Sequence, residues 1–394
     1  MGNVTARQDV AVVLSGGGMN GVLMEHGFML RLRESSLWPR VGWIFGTSAG
    51  ALVGSMAALD RLDELEEFLL GLQPDDTFRP NRLWQLPFLG LNQYALPATI
   101  RERFGDLTAI ARDLQRCERE VVVIATDASP GDGGPDARDY ELVYSSRHTA
   151  PATMAEAILA SAAISALVLP MRVDDRIATD GAWVRNYPLA HAYARPGVRR
   201  IVAFRYIPLY PTIGTAALVR LRKRLSRFGR VPPIRAFIAE LREAEARDAR
   251  GEPGHLAEMI LRLTRAAIVR NTVIEERLAE EKDQSIHEFA RLRADVRDLV
   301  ARNVRSRRDR ARLLAELDDR FGSTNFPFRH DRAIPRITVR ASVGDVSLDT
   351  GRRDQREWTE DAKRALIRRG YELADAELRA ADVDRFESAE EAAV

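Results

Sequence analysis

Cysteine is nearly absent from this chain: Cys117 is the one thiol in 394 residues, which excludes an internal disulfide framework and suits a reducing compartment. Uninterrupted apolar runs of about 18 residues are lacking too, which argues against a membrane-spanning helix. Strong charge of one sign is missing. Lys and Arg number 59 against 57 Asp and Glu, a formal net charge of +2; a pI of about 8.8 is no signature of a polyanion partner. The opening residues, MGNVTARQD, do not carry the basic-then-apolar pattern of a signal peptide. Gly2 stands where an acylated glycine would, but Ala6 replaces the Ser or Thr of the myristoylation pattern. Histidines number six, none in a zinc-binding spacing such as HExxH. A cytoplasmic chain with no metal is the resulting expectation, meeting membranes only from their surface.

What is present describes an ordinary globular protein, 45% hydrophobic and 29% charged. The length suits one large α/β core plus an accessory region, or two domains. Val10 to Leu14 is a short β-branched run that ends at GGGMNG, residues 16–21, and is followed by helical periodicity. A second strand–turn–helix unit follows, with VGWIF, the turn GTSAG and the helical ALVGSMAALDRLDELEEFLL. Further strand candidates are VVVIATDA at 121–128, the neighbourhood of 173–179, and RIVAFRY at 200–206. Continuous apolar runs of this kind predict buried strands of a largely parallel sheet covered by helices. Residues 77–97 break the rhythm with Pro, Gly and aromatics and read as a cap or rim, and 129–139 as an exposed turn region. From about 215 to 320 long helical stretches dense in Arg and Glu suggest an inserted subdomain or a lengthened outer layer. IPRITVRASVGD then reads as a returning strand before a last amphipathic helix.

Three short patterns could carry chemistry. GTSAG sets Ser48 between strand and helix, the geometry of a nucleophile elbow, although alone it equally describes a tight turn. GGGMNG offers backbone donors for an oxyanion, or a phosphate loop, or a plain βα connection. It contains GxGxxG, yet no acidic residue stands about 20 positions on to hold a ribose. A base is needed for a serine nucleophile. His148 and His191 are the better-placed imidazoles, with His26 near the glycine loop and His330 a further partner for a Ser–acid–His arrangement. Asp180, in TDGAWVRNYPL, is a carboxylate freed by Gly181 to approach another loop, and equally a turn former.

Taken in order, GGGMNG, GTSAG and DGA resemble the patatin-like phospholipase family, with support from ASAAIS at 160–165, Leu169, Pro170 and VVVIATDA. The likeness covers roughly residues 8–210. It implies a patatin-like three-layer α/β fold with a largely parallel central sheet, here with an additional charged helical region. It implies Ser48 as nucleophile, Asp180 as its dyad partner, and Gly17, Gly18 and Met19 as the oxyanion hole, with no cofactor. The activity implied is hydrolysis of lipid carboxylic esters through an acyl-serine, as a phospholipase or lysophospholipase. Asn20 and DGA depart from the family pattern, in which a basic residue and DGG are common. The organisation expected is a catalytic core at 8–210, a helical insertion or accessory region at 211–325, and a strand and helix at 326–380 completing the core.

Two segments suggest where lipid would meet the protein. Trp84, Leu86, Phe88, Leu89 and Tyr94 lie in the rim, which reads as an acyl-chain entrance or a packed lid. Residues 216–230 mix four large apolar side chains with six Arg and Lys and no acid, a pattern for anionic membrane surfaces or for packing with a solvated basic face. No nucleic-acid motif is present. A non-catalytic lipid-binding adaptor on the same scaffold is the competing class.

Overall fold

The computed structural model describes residues 8–81, 92–130, 140–164, 168–207, 219, 222–223, 225–227, 230–250, 256–323, 333–342, 348 and 358–381. Its strands are β1 (Val10–Leu14), β2 (Val41–Thr47), β3 (Phe78–Pro80), β4 (Asn92–Tyr94), β5 (Glu120–Asp127), β6 (Glu141–Ser145), β7 (Met171–Val173), β8 (Arg176–Asp180), β9 (Arg200–Tyr206) and β10 (Arg336–Ala341). Its helices begin with α1 (Gly18–Arg33), α2 (Ala49–Ala58), α3 (Leu62–Gly71), α4 (Pro74–Thr77), α5 (Leu96–Phe104), α6 (Leu107–Arg116) and α7 (Pro151–Ser161). After them come α8 (Ala182–Arg185), α9 (Leu189–Ala194), α10 (Pro232–Ala249), α11 (Leu256–Asn303), α12 (Arg307–Ser323) and α13 (Glu360–Ala380).

The main sheet runs β10-β9-β1-β2-β5-β8-β7, with β6 also on β5; β3 and β4 form a separate hairpin in the rim. The first five strands are parallel, while β6, β7 and β8 run antiparallel to their neighbours. The parallel strands are apolar on both faces because both faces are covered. Side-chain alternation divides β1: Val10, Val12 and Leu14 enter one core, Ala11 and Val13 the other. Strand β5 divides the same way, Val121 and Val123 against Val122 and Ile124. The first core is roofed by α1, α2 and α13, with Leu366, Ile367, Ala374 and Leu378 buried from the last helix. Residues 173–179 are therefore no single strand. They turn back at Asp174, an aspartate at φ 55°, a left-handed conformation that Asp tolerates better than most residues.

The second face is covered by α9 and by the middle of the 48-residue α11. The face of α11 that meets the sheet side carries Thr264, Ile268, Thr272, Glu276, Ala279 and Ile286, all buried at a spacing of three, four or seven residues, that of one helical stripe. Two ion pairs and a hydrogen bond fasten it: Arg205–Glu276 at 3.0 Å, Arg340–Glu276 at 2.8 Å, and the Tyr193 hydroxyl donating to Asp283 at 2.6 Å. No helix among the described residues is long and apolar enough to cross a membrane.

One feature of the sheet positions the site. Residues 120–124 of β5 pair with β2, and β8 takes over along the same edge at residues 125–127. Thr47 lies opposite Ile124 and Asp180 opposite Ala125. The residue that follows Thr47 thus meets the last residue of β8, although 132 positions separate them in sequence.

Candidate active site

Ser48 joins β2 to α2 with φ 53° and ψ −115°, a left-handed backbone that costs a non-glycine residue about 1–3 kcal/mol. Its N–H donates to Ser161 Oγ at 2.8 Å, and the Ser161 hydroxyl donates to the Ile124 carbonyl at 2.6 Å. The turn is thereby tied to β5 and to the end of α7. Ser48 is 4% exposed, and its hydroxyl donates to Asp180 Oδ2 at 2.9 Å.

Asp180 is held on every side. Its Oδ1 accepts the Ala182 N–H at 2.8 Å, its own N–H donates to the Ala163 carbonyl at 3.1 Å, and its carbonyl accepts the Thr126 hydroxyl at 2.7 Å. The next residue must be glycine: a Cβ on Gly181 would stand 2.2 Å from the Ile124 carbonyl oxygen. Burial raises the Asp180 carboxyl to about 6, against the pull of the hydrogen bonds from Ala182 and Ser48. A carboxylate poised near neutral pH is suited to taking a proton from a hydroxyl and returning it.

The glycine loop forms the adjoining wall. Gly17 caps α1 with no side chain, and Gly18 opens it at φ 57°, where glycine carries no Cβ penalty. Among the described residues no backbone acceptor takes the N–H of Gly17, Gly18 or Met19. Unpaired donors at a helix start favour negative charge. All three residues line the same cavity as Ser48. That cavity, of about 300 Å³, is walled by apolar side chains including Leu52, Met56, Leu69, Phe104, Ile158 and Leu159, and no charged residue lines it among those described. Trp358 closes part of the wall; its backbone N–H and carbonyl are gripped by the Gln73 side-chain amide at 3.1 and 3.4 Å.

Asn20 is not among the residues that line this cavity. It is fully buried, and its Oδ1 accepts the Leu348 N–H at 3.0 Å. Tyr94, from the rim, donates to the Leu159 carbonyl at 2.9 Å, and burial raises its hydroxyl so that it stays protonated. The imidazoles are engaged elsewhere or exposed. His191 Nε2 lies 2.8 Å from Glu141 and His26 Nε2 lies 3.2 Å from Glu66. His148 and His287 are exposed. His255, His330, Trp84, Leu86, Phe88 and Leu89 lie outside the described residues, as does most of 216–230. Among the described residues no group of three or more His, Cys, Asp or Glu could hold a metal ion.

Sequence reasoning brought out Ser48, Asp180 and the glycine loop, and the structure brings these together. It did not bring out Ser161, Thr126 or Asn186. Ser161 lies in ASAAIS and Thr126 in VVVIATDA, two segments that support the family resemblance, and Asn186 lies in the TDGAWVRNYPL segment of Asp180; none of the three had a signal of its own.

The patatin-like phospholipase family model matches residues 12–193. Among solved structures, VipD from Legionella pneumophila aligns at 12% identity and a TM-score of 0.41, covering 95% of this chain and 68% of that chain. No curated protein matches the sequence.

Proposed function

We propose that this chain, whose residues 12–193 match the patatin-like phospholipase family model, is a lipid acyl hydrolase that cleaves lipid carboxylic esters through a Ser48–Asp180 dyad. The observation that carries this reading is the 2.9 Å hydrogen bond from the Ser48 hydroxyl to Asp180 at the wall of an uncharged apolar cavity. In this reading residues 8–210, with the strand and helix of 326–380, make the catalytic body and 211–325 its accessory region.

Asp180 takes the hydroxyl proton as Ser48 Oγ attacks the ester carbonyl. The N–H groups of Gly17, Gly18 and Met19 receive the oxyanion, the contribution that is usually largest in acyl transfer. The intermediate collapses, the C–O bond to the alcohol breaks, and Asp180 returns the proton to the departing oxygen. Water then attacks the acyl-serine, giving its proton to Asp180, and release of the acid restores Ser48. The acyl chain occupies the apolar cavity, where each buried methylene contributes about 0.8 kcal/mol. The uncharged wall supports a head group held outside it, as in phospholipid or lysophospholipid. The glycine-loop donors are backbone groups, so replacing a basic side chain with Asn20 leaves them in place. Contact of 216–230 with an anionic membrane belongs to the same proposal.

The test is intact mass after reaction with a fluorophosphonate ester probe, run with and without anionic vesicles. A single adduct on the wild type, absent in S48A and strongly reduced in D180N, is expected, with labelling faster on vesicles. An adduct that persists in S48A would sink the nucleophile assignment. The Ser–acid–His alternative gains no support from His191 or His26, whose nearest partners are Glu141 and Glu66. A folded chain that binds vesicles but takes no label would favour the adaptor instead.

A further inference from the structure

The segment that leaves Asp180 is held by α11, a helix from the accessory region. Asn271 Nδ2 donates to the Trp183 carbonyl at 2.7 Å, and Asn186 Nδ2 donates to Thr272 Oγ1 at 2.9 Å. Glu275 accepts from Arg185 at 2.5 Å and from the Ala190 N–H at 3.0 Å. Three residues within one turn of α11 thus hold four positions between 183 and 190. The same segment reaches the rest of the site. The Arg185 carbonyl accepts the Thr47 hydroxyl at 2.9 Å, one residue before Ser48. The Asn186 carbonyl accepts the Gly16 N–H at 3.0 Å. Asn186 is 1% exposed, and a Cβ built on Gly16 would stand 2.5 Å from its Oδ1 and 3.1 Å from Ser48 Cβ.

We propose that α11 positions the catalytic pair, with Thr272 and Asn271 as positioning residues that act through Asn186 and Trp183 on the Asp180 loop and the glycine loop. The inference rests on the reading of Ser48 and Asp180 as the dyad. Its physical basis is the steep dependence of acyl transfer on alignment, where a displacement of about 1 Å costs roughly 100-fold. Thr272 is the centre of the arrangement. It is fully buried, it accepts from Asn186, and its own hydroxyl donates back to the Ile268 carbonyl at 2.8 Å. The hydroxyl orients one acceptor lone pair at Asn186, a task that valine of the same shape does not perform.

The experiment compares full-length wild type, T272V, T272S, N271A and S48A on a soluble p-nitrophenyl ester. Turnover is normalised to the fraction of chain that reacts to completion with a fluorophosphonate probe, and for S48A, which has no nucleophile to label, to the folded fraction by circular dichroism. For T272V the expected result is a kcat lower by about 10- to 100-fold, with KM within about twofold. Its acidic limb in the pH profile should be displaced from the wild type's. T272S should restore both, and N271A, at a half-buried position, should show the same changes at smaller size. Loss of packing alone would lower the melting temperature and the reactive fraction, but would not move the normalised kcat or the limb. Wild-type kcat and limb in a folded T272V overturn the inference, as does equal loss in T272S. Should T272V not fold, unchanged values in N271A overturn it. Turnover that survives S48A removes the dyad reading itself, an outcome separate from every Thr272 result.

Discussion

Two carboxylates flank β5 one row apart, and they have opposite acidities. Asp180 sits opposite Ala125 on one edge, and Glu141 opposite Thr126 on the other. Both are buried. Burial raises Asp180 to about 6. Burial would raise Glu141 too, but hydrogen bonds and charge from His191 and Arg185 outweigh it and bring that group to about 2. Arg185 follows Asp180 by five residues, yet its guanidinium turns to Glu141 and Glu275, at 2.6 and 2.5 Å. Burial pushes both groups upward, and at Glu141 the basic partners reverse it.

The largest expected effect follows from removing the ionisable group on the weakly acidic side. D180N should lower kcat by about 10²- to 10⁴-fold. In the wild type, kcat should fall tenfold per pH unit below about 6, because only the ionised carboxylate accepts the serine proton. A stopped assay from pH 4 to 9 checks both. A flat profile across that range would break the comparison at its catalytic end.

On the other edge the consequence is for stability. E141Q leaves the half-buried Arg185 and His191 without their charged partner and should cost about 1–3 kcal/mol at pH 7, read as a shift in urea midpoint. The folded value of Glu141 lies below its ordinary 4.5, so its contribution is present above that pH and lost as pH falls towards 2. The gap between wild type and E141Q should therefore narrow through that window.

The remaining effect has the opposite sign. Asp180 is raised in the folded state from an ordinary 3.8, so the folded chain holds its proton more tightly than the unfolded chain. Stability is full below about 4 and is lost as pH rises through about 6. D180N should accordingly be more stable than wild type at pH 8, by up to about 3 kcal/mol, and equal to it at pH 3.5. Equal melting points at both pH values would show the carboxylate to be relieved by some other group.

Much of this arrangement was legible in the chain because its signals are local. The glycine clusters, the serine between strand and helix, and the β-branched runs each act within a few residues. What brings Ser48 to Asp180 is not local. It depends on β8 succeeding β2 along one edge of β5, and periodicity does not choose an edge. The role of α11 was hidden for a related reason. Its buried stripe is Thr264, Ile268, Thr272, Glu276, Ala279 and Ile286, half of it polar, while Leu263, Leu278, Leu292 and Leu299 are exposed. A hydrophobic pattern therefore points to the wrong face of this helix. The aromatics at 84–89 and eight of the fifteen residues of 216–230 fall outside the described residues; of the basic ones described there, Arg222 pairs with Glu245 at 2.7 Å.

The ladder between β5 and β8 also sets a rule for how the chain can change length. Side chains alternate along a strand with period two, and each step advances about 3.4 Å. A residue gained at the turn of Asp174 and Asp175 lengthens a bend and leaves the rows at 125–127 intact. A residue gained between Ala178 and Asp180 rotates Asp180 to the opposite face and carries it one step past Ser48. Descendants of this sequence are free to vary the first place, whereas at the second a single inserted codon separates the pair while the sheet still folds.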